Sequence, residues 1–470
     1  MVDIFFDKLY RYPRINECVS IAVPFAKGEL YNTDNISIVQ NKRKCIIQPK
    51  VTAEYDDGSI KYLFVDFMAD LPANKLAKAV LTTTKQELAN LIADGQSECA
   101  KQDGTVSVTP VNNGFLIKCG SLEYEVANNS SSIFRQLNDY RKVYTDKNFE
   151  GPYLKDKDGN AYKLKIGEWK VVEAGPVTVS VEAVGNIENK NIKAVIKVTG
   201  YAGKPWVNIT YRIINTSDDE LKIKSLVFYI KKSEDSVITE QLKPLKIAAG
   251  NDSTGCGDIR TDNSHNDGPV FVTRGTTELD MLEKKADVNN IRTVVATSNY
   301  KTSFIIGKNG EEVNEVIDDK YLVKEANEHF AEVFYGTFMA DYTDGEDGFC
   351  VTVHQAQQNY PKAVKSCSEG VAVMLVPENV GEITMQSGMA KEQQFMIHFH
   401  SPAMKLWEID NRSLIYQMPD RPYIAPEVFK RAGVMIDVFP VKHNDDFEIS
   451  LMAKADGHSR CYGMLNWGDT

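Results

Sequence analysis

Five residues near the end of the chain carry side chains that could bind a sugar and transfer a proton. Arg460, Tyr462, Asn466, Trp467 and Asp469 include a potential base, an amide donor and a flat indole face. Proton transfer needs a side chain held against the reacting atom, and an indole offers a sugar both an apolar face and an N–H donor. We therefore predict that Arg460, Tyr462 and Asn466 are catalytic and that Trp467 and Asp469 bind substrate. The structural alternative is that Tyr462 and Trp467 pack between domains while Asp469 caps a following helix.

An amide-rich stretch at residues 354–360 is a second candidate for sugar binding. An amide group both donates and accepts hydrogen bonds, which suits sugar hydroxyl groups. We predict that Gln358 and Tyr360 in this stretch bind substrate. The alternative is a polar loop that closes two strands.

Two histidines, His398 and His400, form the clearest pair of metal-type ligands. They are two residues apart, so on a strand their side chains face the same side and could share a metal. No third ligand is evident nearby in the sequence, and we therefore favour a structural role for the pair. The acidic loop at residues 341–347 is interpreted as solvated, and its spacing does not match an EF-hand loop. We predict neither a metal nor a cofactor.

Short strands must position these groups. Runs rich in β-branched and aromatic residues, with turn residues between them, occur from residue 4 to about residue 84 and suit one small barrel. A longer series follows from residue 106 to residue 376, which predicts a large antiparallel sandwich. After residue 400, prolines separate short helical pieces. The predicted fold is mainly β, with a barrel at 1–85, a β-sandwich at 100–400 and a helical segment at 401–470.

The dipeptide Asp57-Gly58 is the strongest turn signal in the first domain. Primed two-residue turns need positive φ, which Gly adopts without a Cβ clash. We predict a hairpin with a primed turn at Asp57-Gly58, followed by a strand from Ile60, and expect Gly58 to be indispensable to the domain.

Composition excludes several classes of protein. The 470 residues include 54 basic and 65 acidic side chains, a formal net charge of −11, which argues against nucleic-acid binding. The first residues lack the pattern of a signal peptide, and no segment has the uninterrupted apolar length of a membrane span. The eight cysteines show no CxxC pair. We predict a cytoplasmic protein that binds neither nucleic acid nor a membrane.

Several phrases resemble one known family. Ile-Ala-Val-Pro-Phe-Ala-Lys-Gly at 21–28, followed by Asp-Asp-Gly-Ser-Ile-Lys-Tyr-Leu at 56–63, resembles the N-terminal RIFT barrel of the exo-rhamnogalacturonan lyase and YetA-like family. Val-Val-Glu-Ala-Gly-Pro at 171–176, Gly-Tyr-Ala-Gly-Lys-Pro-Trp at 200–206 and Gln-Asn-Tyr-Pro-Lys-Ala at 358–363 are similar to its sandwich. The resemblance implies a RIFT-like barrel, a β-sandwich and the start of an α/α toroid.

The same resemblance implies β-elimination on rhamnogalacturonan or related uronic-acid-containing oligosaccharides. Such a lyase needs a cation or amide beside the carboxylate, a base for the C5 proton and an acid for the leaving oxygen. Arg, Lys, Asn, His and Tyr are the residue types to seek, and no motif concentrates them.

Two other functions remain open: a non-catalytic carbohydrate-binding or assembly protein, and a glycoside hydrolase, which would need two facing carboxyl groups. The phrase at 462–469 resembles the opening of the toroid, so we expect residues 1–470 alone to lack lyase activity and to self-associate through exposed apolar surface.

Overall fold

The computed structural model describes residues 1–92 except 8, 9, 11 and 74, residues 106–232 except 188 and 189, five short strands between 270 and 313, residues 338–435 except 347, 357, 358, 360, 361, 368 and 379–381, and residue 450. The strands of the N-terminal region are β1 Val2–Phe6, β2 Arg14–Pro24, β3 Ser37–Gln40, β4 Arg43–Lys44, β5 Ile47–Glu54, β6 Ile60–Leu71 and β7 Ala77–Thr82.

The remaining strands form three further sheets, except the last one, β30, which joins the sheet that contains β1. They are β8 Ser107–Val111, β9 Gly114–Lys118, β10 Glu123–Ala127, β11 Gln136–Asn138, β12 Val143–Thr145, β13 Phe149–Asp156, β14 Ala161–Ala174, β15 Thr178–Ile187, β16 Ile192–Tyr201, β17 Trp206–Asn215, β18 Leu221–Lys231, β19 Val270–Arg274, β20 Leu279–Met281, β21 Arg292–Ala296, β22 Ile305–Ile306, β23 Glu312–Val313, β24 Met339–Thr343, β25 Gly348–Val353, β26 Ala363–Cys367, β27 Gly370–Val376, β28 Ile383–Met385, β29 Ala390–His400 and β30 Tyr423–Ile424. The helices of the described ranges are α1 Lys85–Leu91, α2 Leu406–Gln417 and α3 Pro426–Ala432, and a short 3-10 turn spans Asp146–Asn148.

The N-terminal strands enclose a small apolar core between two sheets. One sheet has the strand order β30-β1-β7-β3-β4, and the other has the order β2-β6-β5. Alternating side chains such as Ile4, Val23 and Leu63 point inward and are fully buried, as strands with one face on a core require. β30 comes from the C-terminal region and pairs with β1, with Ile424 opposite Ile4.

The central region is a large antiparallel sandwich. Its main sheet has the order β20-β19-β21-β24-β25-β29-β17-β16-β15-β14-β13-β18-β27-β26, with β28 beside β18, and only the described pair β19–β21 is parallel. The sheet folds back on itself, since the Ser366 hydroxyl of β26 donates to the Asp341 carbonyl of β24. A second sheet, β12-β11-β10-β9-β8, packs into the same core. The predicted mainly-β fold of barrel plus sandwich is confirmed.

Helix α2 packs lengthwise on β25. Its buried residues include Leu406, Ile409, Ser413 and Gln417, whose spacing of three or four places them on one helix face. The Thr352 hydroxyl donates to the Ser413 hydroxyl at 2.8 Å, and the Gln417 amide donates to the Val353 carbonyl at 2.7 Å. The helix is therefore fixed in register against the sandwich.

The hairpin at Asp57-Gly58 is present, but the predicted turn type was wrong. The Gly58 N–H donates to the Tyr55 carbonyl at 3.0 Å, and the Tyr55 N–H donates to the Ser59 carbonyl at 2.8 Å. Three residues thus form the loop, and Gly58 is the one with positive φ, at +79°. The Asp57 carboxylate accepts from the Ser59 N–H and hydroxyl, which stabilises this wider turn.

Replacing Gly58 with Val is expected to lower the free energy of unfolding by at least about 1–2 kcal/mol, because a β-branched residue is strained at positive φ. A Cβ at Gly58 would meet no atom within 4 Å, so the expected loss comes from the backbone alone. Denaturant unfolding measures it. Gly345→Val is the matched control, since Gly345 has equally open space and no positive φ. Equal losses in the two variants would contradict the explanation.

One glutamine joins the barrel to the sandwich. The Gln48 amide nitrogen donates to Glu173 Oε1 at 3.0 Å and Thr178 Oγ1 at 3.1 Å, and its oxygen accepts from the N–H groups of Val177 at 3.0 Å and Thr178 at 2.9 Å. A Cβ on Gly175 would lie 2.2 Å from Gln48 Cδ. The phrase at 171–176 that carries part of the family resemblance therefore serves to dock the two domains.

Candidate functional site

The sequence-predicted site residues belong to two stretches of the chain. They all lie outside the described residues: Arg460, Tyr462, Asn466, Trp467 and Asp469 near the end of the chain, and Gln358 and Tyr360 in the amide-rich stretch. The start of that stretch is described, and the Gln355 N–H donates to Gln417 Oε1 at 2.7 Å. The stretch therefore begins against the C-terminal end of α2.

The described residues nevertheless gather the side-chain types that a lyase needs at one place. We call this group the polar junction, and its members are Tyr201, Trp206, Asn208, His398, Arg412 and Tyr416. The pairing of β17 with β29 sets Trp206 opposite His398. Arg412 and Tyr416 are four residues apart on α2 and therefore share a helix face.

Trp206 lies at the centre of the polar junction. The Arg412 guanidinium carbon is 4.3 Å from the Trp206 ring centroid, and the Lys204 ammonium is 5.1 Å from it. The His398 ring meets the indole edge-on, with centroids 5.6 Å apart. Arg412 also donates to Glu17 Oε2 of the barrel at 2.9 Å, so barrel, sandwich and α2 all meet here.

Four enclosed polar atoms of the polar junction have no hydrogen-bond partner among the described residues. They are Asn208 Oδ1, His398 Nδ1, Arg412 Nε and Tyr416 Oη. Asn208 uses its amide nitrogen to donate to the Tyr201 hydroxyl at 2.7 Å. Buried polar atoms are almost always paired, so such a group indicates a place where water or a ligand binds.

Burial sets the charge state of these groups. Burial, reinforced by the charges of His400, Arg412 and Arg141, lowers the pKa of His398 well below its usual value, so the imidazole is neutral at pH 7. Burial raises the pKa of the Tyr416 and Tyr201 hydroxyls, which remain protonated. The polar junction thus offers a proton acceptor and protonated phenols.

Glu17 is the anionic partner of Arg412. Burial by itself would raise the pKa of Glu17, but the Arg412 guanidinium outweighs it and holds that pKa below its usual value. Glu17 is therefore ionised at neutral pH and balances the charge of Arg412. Arg412 Nε has no partner among the residues that the structure describes and can donate to another acceptor.

His400 has a structural partner. Its Nε2 is 2.8 Å from Asp341 Oδ1, and its Nδ1 is 3.1 Å from the Ser401 carbonyl. Both the His400 and Asp341 side chains are fully buried, so the interpretation of the acidic loop as solvated was wrong for Asp341, which is part of β24. The described residues contain no group of three or more acidic, His or Cys side chains that could hold a metal.

The loop between β11 and β12 lies at the same end of the sandwich as His398. Lys142 is 3.7 Å from Asp344, in the turn between β24 and β25. The Tyr144 ring packs on Phe399, with centroids 5.3 Å apart. The charge of Arg141, in this loop, contributes to the lowered pKa of His398.

Most residues of the polar junction belong to no sequence motif that marks them as functional. Only His398 was singled out, as half of a metal pair, while Tyr201 and Trp206 occurred within the phrase at 200–206. The tight packing of Gly200, whose Cβ would lie 2.5 Å from Cys119 Sγ, gives that phrase a structural role as well. Arg412 and Tyr416 had no motif that could have revealed them.

A separate cavity of about 140 Å³ lies beside β13 and β14. Its lining includes Asp146, Lys147, Glu150, Tyr153 and Lys163. Lys231 pairs with Glu150 at 2.5 Å, which leaves that carboxylate neutralised. The cavity has neither His nor Arg in its lining and fits uronate chemistry less well than the polar junction.

None of the helices in the described ranges has the length and apolar character needed to cross a membrane. The chain matches no curated protein. Among solved structures it is similar to a glycosyl hydrolase family 38 protein from Enterococcus faecalis, with 10% identity over 90% of this chain and a TM-score of 0.45. The chain spans about half, 47%, of that protein.

Two further solved structures show a weaker likeness. A GH36 α-galactosidase from Geobacillus stearothermophilus is 9% identical over 63% of this chain and 41% of its own, with a TM-score of 0.33. A galactose mutarotase-like protein from Clostridium acetobutylicum is 12% identical over 64% of this chain and 99% of its own, with a TM-score of 0.30. The family model that matches the chain is the PcRGLX-like N-terminal RIFT barrel domain, at residues 7–66, which confirms the RIFT barrel implied by the sequence resemblance.

Proposed function

We propose that the protein is a polysaccharide lyase-like enzyme that cleaves rhamnogalacturonan or related uronic-acid-containing oligosaccharides by β-elimination. The observation that carries the proposal is the polar junction, where a neutral His, an Arg, an Asn and two Tyr residues meet with unpaired polar atoms. The resemblance of the barrel phrases to exo-rhamnogalacturonan lyases supplies the substrate class. A cytoplasmic location remains a prediction.

The proposed chemistry breaks the C5–H and C4–O bonds and forms the C4–C5 double bond, an N–H bond on the base and an O–H bond on the leaving oxygen. His398 accepts the C5 proton of the uronate at Nδ1, and the C4–O bond breaks as the C4–C5 double bond forms. Arg412 faces the uronate carboxylate and stabilises the charge that develops there. Tyr416 Oη and Asn208 Oδ1, neither of which has a hydrogen-bond partner in the part of the chain that the structure describes, bind sugar hydroxyl groups.

The sequence-predicted residues complete this proposal. Tyr462 protonates the leaving oxygen, and Arg460 and Asn466 join Arg412 in neutralising the carboxylate. Trp467 stacks on a neighbouring sugar ring and Asp469 accepts from a hydroxyl. Gln358 and Tyr360 bind further hydroxyl groups of the oligosaccharide.

A binding protein without catalysis is the second candidate function. It is favoured by the pairing of Arg412 with Glu17 and of His400 with Asp341, because groups that already hold a partner within the fold need not take part in a reaction. Binding of rhamnogalacturonan oligosaccharides without any product would support it. New reducing ends without unsaturation would instead support a glycoside hydrolase.

The decisive assay follows the ultraviolet absorbance of unsaturated uronate when the protein at its natural length is incubated with rhamnogalacturonan oligosaccharides. We expect product to form, and we expect Tyr462→Phe and Asn466→Ala each to lower turnover by about two orders of magnitude. Tyr31→Phe is the control, because Tyr31 is an exposed tyrosine of the barrel. Turnover unaffected by the first two substitutions would remove both residues from the site.

A further inference from the structure

Tyr140 has an unusual backbone conformation for a bulky residue. It lies in the loop between β11 and β12 with φ of +60°, in the left-handed region that favours Gly and Asn. Its side chain is 71% exposed, more than any other large aromatic side chain in the described residues. Folding therefore gains little from this ring, although its backbone is strained.

The strained conformation is fixed by neighbours. The buried Asp139 carboxylate accepts from the N–H groups of Arg141 at 3.1 Å and Lys142 at 2.8 Å. The Tyr140 N–H donates to Asn138 Oδ1 at 2.8 Å. These hydrogen bonds fix the backbone of the loop, so that the Tyr140 side chain is directed outward. A binding residue gains from being held in place before the ligand arrives, whereas an ordinary exposed turn residue does not need it.

Arg141 covers one side of the tyrosine ring. Its guanidinium carbon lies 5.0 Å from the ring centroid, and Nη1 donates to the Tyr140 hydroxyl at 3.2 Å. The large exposed fraction leaves the rest of the ring open to a ligand. The guanidinium also pairs through Nη2 with the buried Asp139 carboxylate, which fixes it beside the ring. A flat aromatic face beside a guanidinium suits a sugar ring that carries a carboxylate, with the ring supplying the larger share of the contact.

The position of the loop fits this use. Lys142 of the same loop reaches Asp344 in the turn between β24 and β25, and the charge of Arg141 acts on His398. Tyr144, which follows the loop, packs on Phe399 from the core side of β29, the face opposite to His398. We propose that Tyr140 is a sugar-stacking residue at the rim of the polar junction, where it binds one pyranose ring of an anionic oligosaccharide beside Arg141. The substrate class rests on the proposed function, whereas the binding role can be tested without turnover.

The experiment compares Tyr140→Gly and Tyr140→Phe with the parent protein, using isothermal titration with rhamnogalacturonan oligosaccharides and thermal unfolding. Tyr140→Gly is expected to weaken binding about tenfold, because it removes the stacking face. The same variant is expected to raise the melting temperature, since Gly relieves the strain at positive φ. Tyr140→Phe should keep the affinity within about twofold, because the ring remains.

Tyr31→Gly is the matched control, because Tyr31 is 59% exposed in the barrel and should not affect binding. Unchanged affinity in Tyr140→Gly would overturn the inference even if the protein is a lyase. Weakened binding without any turnover by the parent would support the inference and contradict the lyase proposal. A parent protein that binds none of these oligosaccharides would overturn both.

Discussion

Replacing Arg14 with Met is expected to lower the free energy of unfolding by about 3–5 kcal/mol, because it leaves a buried carboxylate without its partner. Arg14, at the start of β2, donates through Nε at 2.9 Å and Nη2 at 2.6 Å to the two carboxylate oxygens of Asp420. The side chains are only 2% and 3% exposed. Denaturant unfolding of the whole chain measures the loss.

The chain offers a matched control in an exposed ion pair of the same chemistry. Arg212 donates to Glu392 from the sandwich surface, where the side chains are 48% and 36% exposed, and Arg212→Met should cost less than about 1 kcal/mol. The double variant Arg14→Met/Asp420→Leu should recover most of the stability, because no unpaired charge remains. A loss for Arg14→Met as small as that for Arg212→Met would refute the explanation.

Replacing His398 with Gln is expected to lower turnover of the protein at its natural length by about two orders of magnitude or more, on the order of what a general base contributes. Gln fills a similar space but cannot accept the proton. Thermal unfolding of the variant tests whether the fold is retained, and initial rates of unsaturated product measure the effect.

The pH dependence gives a sharper test of the same assignment. A base acts only when it is deprotonated, and the pKa of His398 lies well below 6.5, mainly because of burial. The parent rate should therefore stay level as the pH falls from 8 to about 6.5 and decline only below that value. A decline centred at or above pH 6.5 would exclude His398 as the base.

The fold was largely predictable because its strands repeat a local pattern. β16 alternates buried and partly exposed residues along its whole length, and β27 is a short, continuously buried run. The turn at Gly58 was located correctly but typed wrongly, since both a primed two-residue turn and the observed three-residue loop place Gly at positive φ. Local sequence does not distinguish them.

The candidate site was much less predictable because its members are distant in sequence. Glu17 and Arg412 are 395 residues apart, and nothing in the helical pattern of α2 indicates which barrel strand it contacts. Asp341 lies in an acidic stretch that resembles a solvated loop, yet its pairing with His400 reaches across β25, which lies between their two strands. Such contacts depend on tertiary packing, which periodicity does not encode.

The pairing of β1 with β30 has a consequence for how the protein is made. Ile4 cannot reach its partner Ile424 until the ribosome has synthesised nearly the whole of the described chain, although β2 to β7 are complete by residue 82. During translation, the β1 edge of the barrel therefore stays unpaired until β30 is made. An unpaired strand edge is prone to pair with another chain. The nascent N-terminal domain has a period of vulnerability to aggregation that ends only when this late, long-range contact forms.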